Sequence, residues 1–274
     1  MSFELDRWLK ERSLSNVVGV TIEHEDVKMF LMNVKGLLFP GYVESIDNLS
    51  DYLNEKIEGI KFYLHKLLKA IERLEKIEID INAIICKFLD SLPNVDKIIK
   101  TDIEAIYDGD PACKSTSEIV LCYPGLTAIF TYRIAHVLYE LNIPTLPRIL
   151  TEFAHSKTGI DIHPGATIDS YFFIDHGTGI VIGETCVIGK HVKIYQGVTL
   201  GGLSLRKGRQ LNGVKRHPTI MDNVTIYSGA SIFGGDTIIG KGSTIGSNAF
   251  ITESVEEDMT VTIKGEKKHK GDVH

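Results

Sequence analysis

Residues 180–201 read Ile180-Val181-Ile182-Gly183-Glu184-Thr185-Cys186-Val187-Ile188-Gly189-Lys190-His191-Val192-Lys193-Ile194-Tyr195-Gln196-Gly197-Val198-Thr199-Leu200-Gly201, and an aliphatic residue returns at every sixth place, 182, 188, 194 and 200. The same spacing runs upstream through Ile162, Ile168 and Ile174. It resumes downstream at Ile220, Ile226 and Ile232, then at Ile239, Ile245 and Ile251. The fifth place is small or β-branched at Ala166, Thr178, Cys186, Val192, Val198, Val224, Ala230, Ser243 and Ala249, with Phe172 and Asp236 as exceptions. Gly follows the aliphatic at Ile182, Ile188, Ile239 and Ile245. Six residues make one short strand and a turn, and three such units close a triangular coil. Only the first and fifth side chains then point inward. Each coil covers the apolar edge of the next at roughly 4.8 Å, which is the logic of a parallel β-helix. An antiparallel sheet would alternate with period two, and this stretch does not.

The bias behind this pattern stops near residue 158. Residues 158–274 hold 19 of the 25 glycines and 25 Ile or Val against four Leu, whereas the first 157 hold 20 Leu and six Gly. Charge divides at the same place. The first part has 18 Lys+Arg against 24 Asp+Glu, and the second has 12 of each. Leu-rich, acidic sequence favours helices; Ile, Val and Gly favour strands and tight turns. The fold class expected is α+β in two segregated parts. A helical oligomerisation domain covers 1–157, a β-helix covers 158–255 with a loop insertion at 203–216, and a charged tail covers 256–274. In the helical part Ile46, Leu49, Leu53, Ile57, Ile60, Leu64, Leu67, Ile71 and Leu74 step by threes and fours. This predicts one long helix capped by Asp47 or Ser45, serving ordinary packing or a coiled-coil seam. Further helices are expected near 79–89, 95–107, 126–141 and 148–155, punctuated by Pro93, Pro111, Pro124, Pro144 and Pro147.

Several function classes are disfavoured. A net charge of −6 argues against a general binder of nucleic acid or acidic membrane. No run approaches the roughly 18 apolar residues of a membrane span, and residues 1–12 lack an apolar signal region. Cys86, Cys113, Cys122 and Cys186 form no C-x-x-C pair and no zinc spacing, so free thiols in a reducing cytoplasm are expected.

Polar residues cluster where the repeat bends. The insertion after Gly201-Gly202 carries five basic residues and no acidic ones, which suits either a solvated loop or a cover for an anion-accepting site. Asp161 and His176 lie 15 residues apart. An 18-residue coil would stack Gly179 on Asp161 and gather both side chains near one corner. A carboxylate that holds an imidazole fixes its tautomer and suits it to general-base work. The frame also slips there, from Ile174 to Ile182, and Asp175, Arg216 and His217 are expected close by. A lone His in a turn is more often plain surface. His24, His65, His136, His155, His269 and His274 take that bland reading, with His163 a cap and His191 solvent-facing. The one H-x4-H spacing, His269 to His274, lies in the charged tail and not in the repeat, so no metal is expected.

Asp161-Ile162-His163-Pro164, Asp175-His176-Gly177-Thr178-Gly179, Gln196-Gly197-Val198-Thr199-Leu200-Gly201-Gly202 and Arg216-His217-Pro218 together resemble serine O-acetyltransferases. The likeness reaches back through Asp108-Gly109-Asp110-Pro111-Ala112 and Tyr132-Arg133-Ile134-Ala135-His136, covering roughly 100–252. The resemblance implies a left-handed β-helix and acetyl transfer from acetyl-CoA to L-serine in cysteine biosynthesis. It implies His176 as general base oriented by Asp161. Asp110 and Asp175 would hold the substrate ammonium, and Arg216 its carboxylate, helped by His217. His217 would also donate to the developing oxyanion. Acetyl-CoA, the co-substrate, would lie near Gly202, Ser228 and Ser247. No metal or redox cofactor is called for.

The same resemblance implies a homotrimer with sites at subunit edges, and a hexamer made by pairing trimers through the helical parts. Three features depart from the family. The 203–216 loop is longer, the G-V-P-A segment after Thr252 is replaced by Val261-Thr262-Ile263-Lys264-Gly265, and the sequence closes on Gly271-Asp272-Val273-His274. The last lacks the terminal Ile that docks relatives into O-acetylserine sulfhydrylase, which leaves that partnership open, along with feedback by cysteine. Two alternatives stand beside this reading: a hexapeptide O-acetyltransferase with a homoserine or sugar acceptor, and a non-catalytic oligomeric scaffold.

Overall fold

The computed structural model describes residues 3–13, 22–203, 208–211, 213–262 and 267–269. Helices come first: α1 (Phe3–Ser13), α2 (His24–Leu38), α3 (Leu49–Glu75), α4 (Ile81–Gly109), α5 (Thr116–Cys122), α6 (Pro124–Glu140) and α7 (Leu146–Thr158). The long stripe forms α3, burying Ile60, Leu64, Leu67, Leu68 and Ile71. Its cap is Asn48 rather than Asp47 or Ser45. Extended backbone at Asn48 lets its side-chain oxygen accept from the N–H groups of Ser50 (2.9 Å) and Asp51 (3.3 Å).

The two helices expected on either side of Pro93 are one, α4. Ile85, Phe88, Leu92, Val95, Ile99, Ile103 and Ile106 form an unbroken buried stripe along it. Burying that many large side chains, at about 1.5–3 kcal/mol each, exceeds the roughly 3 kcal/mol that an interior proline costs. Pro93 itself is exposed, so the turn that loses its N–H faces outward.

The first coil is β1 (Asp161–Ile162), β2 (Thr167–Ile168) and β3 (Phe173–Asp175). The second is β4 (Val181–Ile182), β5 (Val187–Ile188) and β6 (Lys193–Tyr195). The third is β7 (Thr199–Gly201), β8 (Thr219–Ile220) and β9 (Thr225–Ile226), and the fourth β10 (Ser231–Phe233), β11 (Ile238–Ile239) and β12 (Thr244–Ile245). After β13 (Phe250–Ile251), β14 (Met259–Val261) still pairs in parallel with β12, beyond the 255 boundary, and β15 (Lys267–His269) turns back antiparallel. Three sheets result, ordered β1-β4-β7-β10-β13, β2-β5-β8-β11 and β3-β6-β9-β12-β14-β15.

The register corrects the stacking expected at the first corner. Asp161 pairs with Val181, not Gly179, an offset of 20 residues, because the step between β3 and β4 takes eight residues instead of six. The next coil keeps 18, Val181 on Thr199. Inside the prism Ile182, Ile188, Ile194, Leu200, Ile220, Ile226 and Ile232 are buried, with Ala166, Cys186, Val198 and Ala230 as the small partners. Ala128, Ile129 and Tyr132 of α6 belong to this same cluster and close the open end of the first coil.

The junction is also polar. Arg133 on α6 reaches both carboxylate oxygens of Asp102 on α4 (3.1 Å each) and donates to the carbonyls of Ile168 and Asp169, the latter at 2.7 Å. Asp102 accepts from the N–H of Phe172 as well (2.9 Å). Among the described residues no helix is long and apolar enough to cross a membrane.

Candidate active site

Polar side chains gather at two edges of the prism, both at turns. The first edge is the long step from β3 to β4. His176 sits there with φ +56°, followed by Gly177 at +84° and Gly179 at +82°. Left-handed backbone costs a non-glycine residue about 1 kcal/mol or more, which persists only where the surroundings impose it. The imidazole is exposed, its Nε2 3.8 Å from a carboxylate oxygen of Asp175. That contact is electrostatic, too long for a hydrogen bond.

Asp110 reaches this edge from the C-terminus of α4. Its carboxylate accepts from the Tyr123 hydroxyl (2.5 Å) and the Ala112 N–H (2.8 Å), and these bonds hold its pKa below the usual carboxylate range, with a smaller contribution from His176. Two carboxylates thus flank an exposed imidazole. Tyr195 lies within their field and stacks on Tyr227, ring centroids 5.3 Å apart. Further along the same edge the Ser228 hydroxyl donates to Ser247 (3.3 Å).

Asp161 stands at the start of β1, next to this turn, but its carboxylate is engaged by Arg148 of α7 at 2.8 and 3.3 Å. Among the described residues no hydrogen bond joins Asp161 to His176. Glu152, His155 and Asp161 bring ligand atoms within 4.8 Å of one another. Arg148 pairs with both carboxylates of that group, so it reads as an ion-pair cluster.

The second edge lies across the β1-β4-β7 sheet. A face of six residues at roughly 3.3 Å each separates the two edges, about 20 Å at most. Here the chain returns from the insertion, after a short 3-10 turn at Gly208–Leu211, and passes Glu184 and Thr185. Arg216 pairs with the Glu184 carboxylate, which also accepts from the Tyr139 hydroxyl (3.3 Å). Burial raises the Glu184 pKa, but Arg216 and His163 outweigh it and hold the group below its ordinary value. His217 is 92% hidden, its ring lying on Gly183, where a Cβ would collide with it. Its Nδ1 accepts the Thr185 N–H at 3.0 Å, so its hydrogen sits on Nε2. Burial, then the charge of Arg216, lowers its pKa to about 4. The ring is neutral at pH 7 and a donor at Nε2.

The structure therefore brings Asp110, Asp175 and His176 together, with Ser228 and Ser247 along the same edge. Arg216, His217 and Gly202 stand at the other. Four contributors carried no assigned role in the sequence reading. Tyr123 and Arg148 have no local motif. Glu184 and Thr185 do follow the Gly of a repeat unit, where outward polar pairs are readable as turn residues.

These edges and this coil define the hexapeptide-repeat β-helix class. Residues 62–131 match the family described as "Serine acetyltransferase, N-terminal". A plasmid serine acetyltransferase of Synechococcus elongatus is 56% identical over 142 residues, 51% of this chain and 44% of that protein. The chain spans about half the length of the curated relatives it matches. Native serine acetyltransferase 1 of Entamoeba histolytica superposes with a TM-score of 0.80 at 36% identity, covering 95% of this chain and 97% of the other. The same enzyme in complex with L-cysteine gives 0.78 at 38% identity, covering 85% and 86%. The chain belongs to the serine acetyltransferase family, and its β-helix is left-handed.

Proposed function

We propose that this chain transfers the acetyl group of acetyl-CoA to the hydroxyl of L-serine, giving O-acetyl-L-serine for cysteine biosynthesis. The observation that carries the proposal is the pair of carboxylates, Asp110 and Asp175, beside the exposed imidazole of His176. An ammonium held between the carboxylates places an adjacent hydroxyl within reach of the ring. His176 takes the hydroxyl proton as the oxygen attacks the thioester carbonyl carbon. The oxyanion so formed receives the Nε2–H of His217. Collapse breaks the C–S bond, and the departing CoA thiolate takes the proton back from His176. Arg216 meets the acceptor carboxylate in a bidentate contact, and Gly202, Ser228 and Ser247 leave space for the CoA arm. Asp161 would orient His176 once its carboxylate turns from Arg148 to the ring.

Base and clamp stand on different edges of one protomer, so the proposed site is completed by a neighbouring copy about a threefold axis. Pairing of two trimers through the helical part would give a hexamer. L-cysteine shares the ammonium and carboxylate of serine and would compete for the same clamp. Residues 271–274, whose lack of a terminal Ile leaves the sulfhydrylase partnership open, lie outside the described residues.

Thiol release is measured with L-serine, L-homoserine and a galactoside as acceptors. Serine is expected to be preferred, and His176→Ala to lower turnover about 10²–10⁴-fold with the assembly intact. Activity on the galactoside alone, or full activity of His176→Ala, overturns the reading.

A further inference from the structure

Thr185 has no role in the reaction above, yet its polar atoms all engage the 215–217 segment. Its Oγ1 accepts the backbone N–H of Arg216 at 2.9 Å and that of His217 at 3.1 Å. With both lone pairs taken, the hydroxyl hydrogen is left to donate, and His217 Nδ1 lies 2.9 Å away. The Thr185 N–H donates to that same nitrogen at 3.0 Å, and the Thr185 carbonyl accepts from Lys215 Nζ at 2.9 Å. A backbone N–H cannot accept a hydrogen bond, so Nδ1 must present a lone pair to it. One residue therefore sets the tautomer of His217 and the backbone position of Arg216.

We propose that Thr185 is a positioning residue for acetyl transfer: it locks His217 as the Nε2–H tautomer and holds Arg216 so that donor and carboxylate clamp act from one rigid unit. The inference rests on the reading under Proposed function. Arg216, Lys215, Glu184 and His163 are the charged or titratable groups whose fields reach His217, and burial with the Arg216 charge keeps the ring uncharged. A neutral imidazole with a fixed N–H stabilises an oxyanion without holding a proton that the leaving group could take. Gly183 lets the ring lie flat on the coil, so the Nε2–H direction follows from where Thr185 grips Nδ1.

Thr185→Val keeps the side-chain shape and both backbone bonds but removes the hydroxyl; Thr185→Ser keeps the hydroxyl. In the full-length protein labelled with ¹⁵N at histidine, wild type should show a single His217 tautomer, pyrrole-type at Nε2 and pyridine-type at Nδ1. Thr185→Val keeps the backbone N–H on Nδ1 but loses the hydroxyl's bonds to Nδ1 and to the Arg216 and His217 N–H groups, so it should keep that tautomer with shifted ring ¹⁵N resonances, and Thr185→Ser should show the wild-type spectrum. For L-serine the Val variant should lose about 10² in kcat/KM, mostly in kcat, as misplacement of a reacting group by about 1 Å does. The Ser variant should recover it. A wild-type spectrum with hydrogen on Nδ1 overturns the inference, as does a Val variant with unchanged ring resonances and turnover, or an equal loss in Val and Ser. Should the wild-type protein acetylate no serine, the functional reading fails while the ring spectra still decide the Thr185 lock.

Discussion

Replacing Arg133 by Met tests how the helical part is fastened to the coil. Asp102 is fully buried and Arg133 nearly so, with two bonds at 3.1 Å between them. After the substitution Asp102 keeps only the Phe172 N–H, at 2.9 Å, and the Ile168 and Asp169 carbonyls lose a donor. Removing one member of a buried ion pair costs about 3–5 kcal/mol, because the other charge stays buried without its partner. Burial already pushes Asp102 up to about 6 against the pull of Arg133. Without that pull its folded-state pKa rises further above the unfolded value of about 3.9. The penalty of the ionised carboxylate is then full above the folded pKa and relieved as pH falls through it. Urea unfolding followed by circular dichroism, at one fixed protein concentration because assembly contributes to stability, should show Arg133→Met less stable by about 4 kcal/mol at pH 8. The deficit should shrink toward pH 5. The double variant Asp102→Asn/Arg133→Met, which buries no charge, should regain about half of it. Asp110, the C-cap of α4, lies eight residues past Asp102, about 12 Å along the helix axis, so the loosened junction should also raise the KM for serine. A deficit under about 1 kcal/mol, or a double variant no better than the single, would refute the reasoning.

Two further outcomes bear on the site. Tyr123→Phe removes the 2.5 Å bond that helps hold Asp110 below its ordinary pKa. The carboxyl must then rise, so the acid limb of kcat/KM should move to higher pH and the KM for serine increase about tenfold; an unmoved limb counts against an ionised Asp110 in the clamp. Inactive His176→Ala and Arg216→Ala proteins, unfolded and refolded together in equal amounts, should recover activity at about a quarter of the sites, since each site would take one edge from each of two chains. Activity no higher than in either variant alone would place both residues in one protomer's site.

Much of the coil was legible because its signal is repetitive. Each inward Ile has neighbours one coil above and below, and substitution by a polar residue would expose two layers at once, so the period survives in the sequence. The edges are less legible. Asp161 and His176 are separated by a fixed number of residues, but how many of them the corner absorbs depends on left-handed backbone at His176, Gly177 and Gly179. Proline misled in the opposite sense. Pro93 is a local stop signal, and the stripe from Ile85 to Ile106 is a longer-range one that prevails once both halves pack on one core. Val27, Phe30, Leu31 and Val34 show the same helical spacing in α2, a stripe readable but not singled out. Thr185 is readable as a turn residue, but nothing local announces its role, because its hydroxyl accepts from main-chain N–H groups 31 and 32 residues away.

Departures from the 18-residue period are the most informative part of the repeat, because three of the four described fall where an edge carries polar chemistry. The offset of 20 at Asp161–Val181 comes from the turn that presents His176. The offset of 32 at Thr199–Ser231 holds the insertion that returns as Arg216 and His217. The third departure is a single residue, an offset of 19 at Ser231–Phe250, in the step that contains Gly234 and Gly235. Gly234 has φ +113°, and a Cβ on Gly235 would run into the Lys215 carbonyl. Glycine at 235 thus leaves room for the 215–217 segment to pass close to the fourth coil while it lies against Thr185. A strand's inward side chains are committed to the core and its outward ones to a flat face. Only the turns can aim a side chain freely, and only an added residue can re-aim a turn. Register slips in such a coil can therefore mark where the chain gave up regular stacking to place particular atoms; in this protein the first three fall at the two edges that the proposed transfer needs, and the last, an offset of 16 at Thr244–Thr260, shortens the final coil.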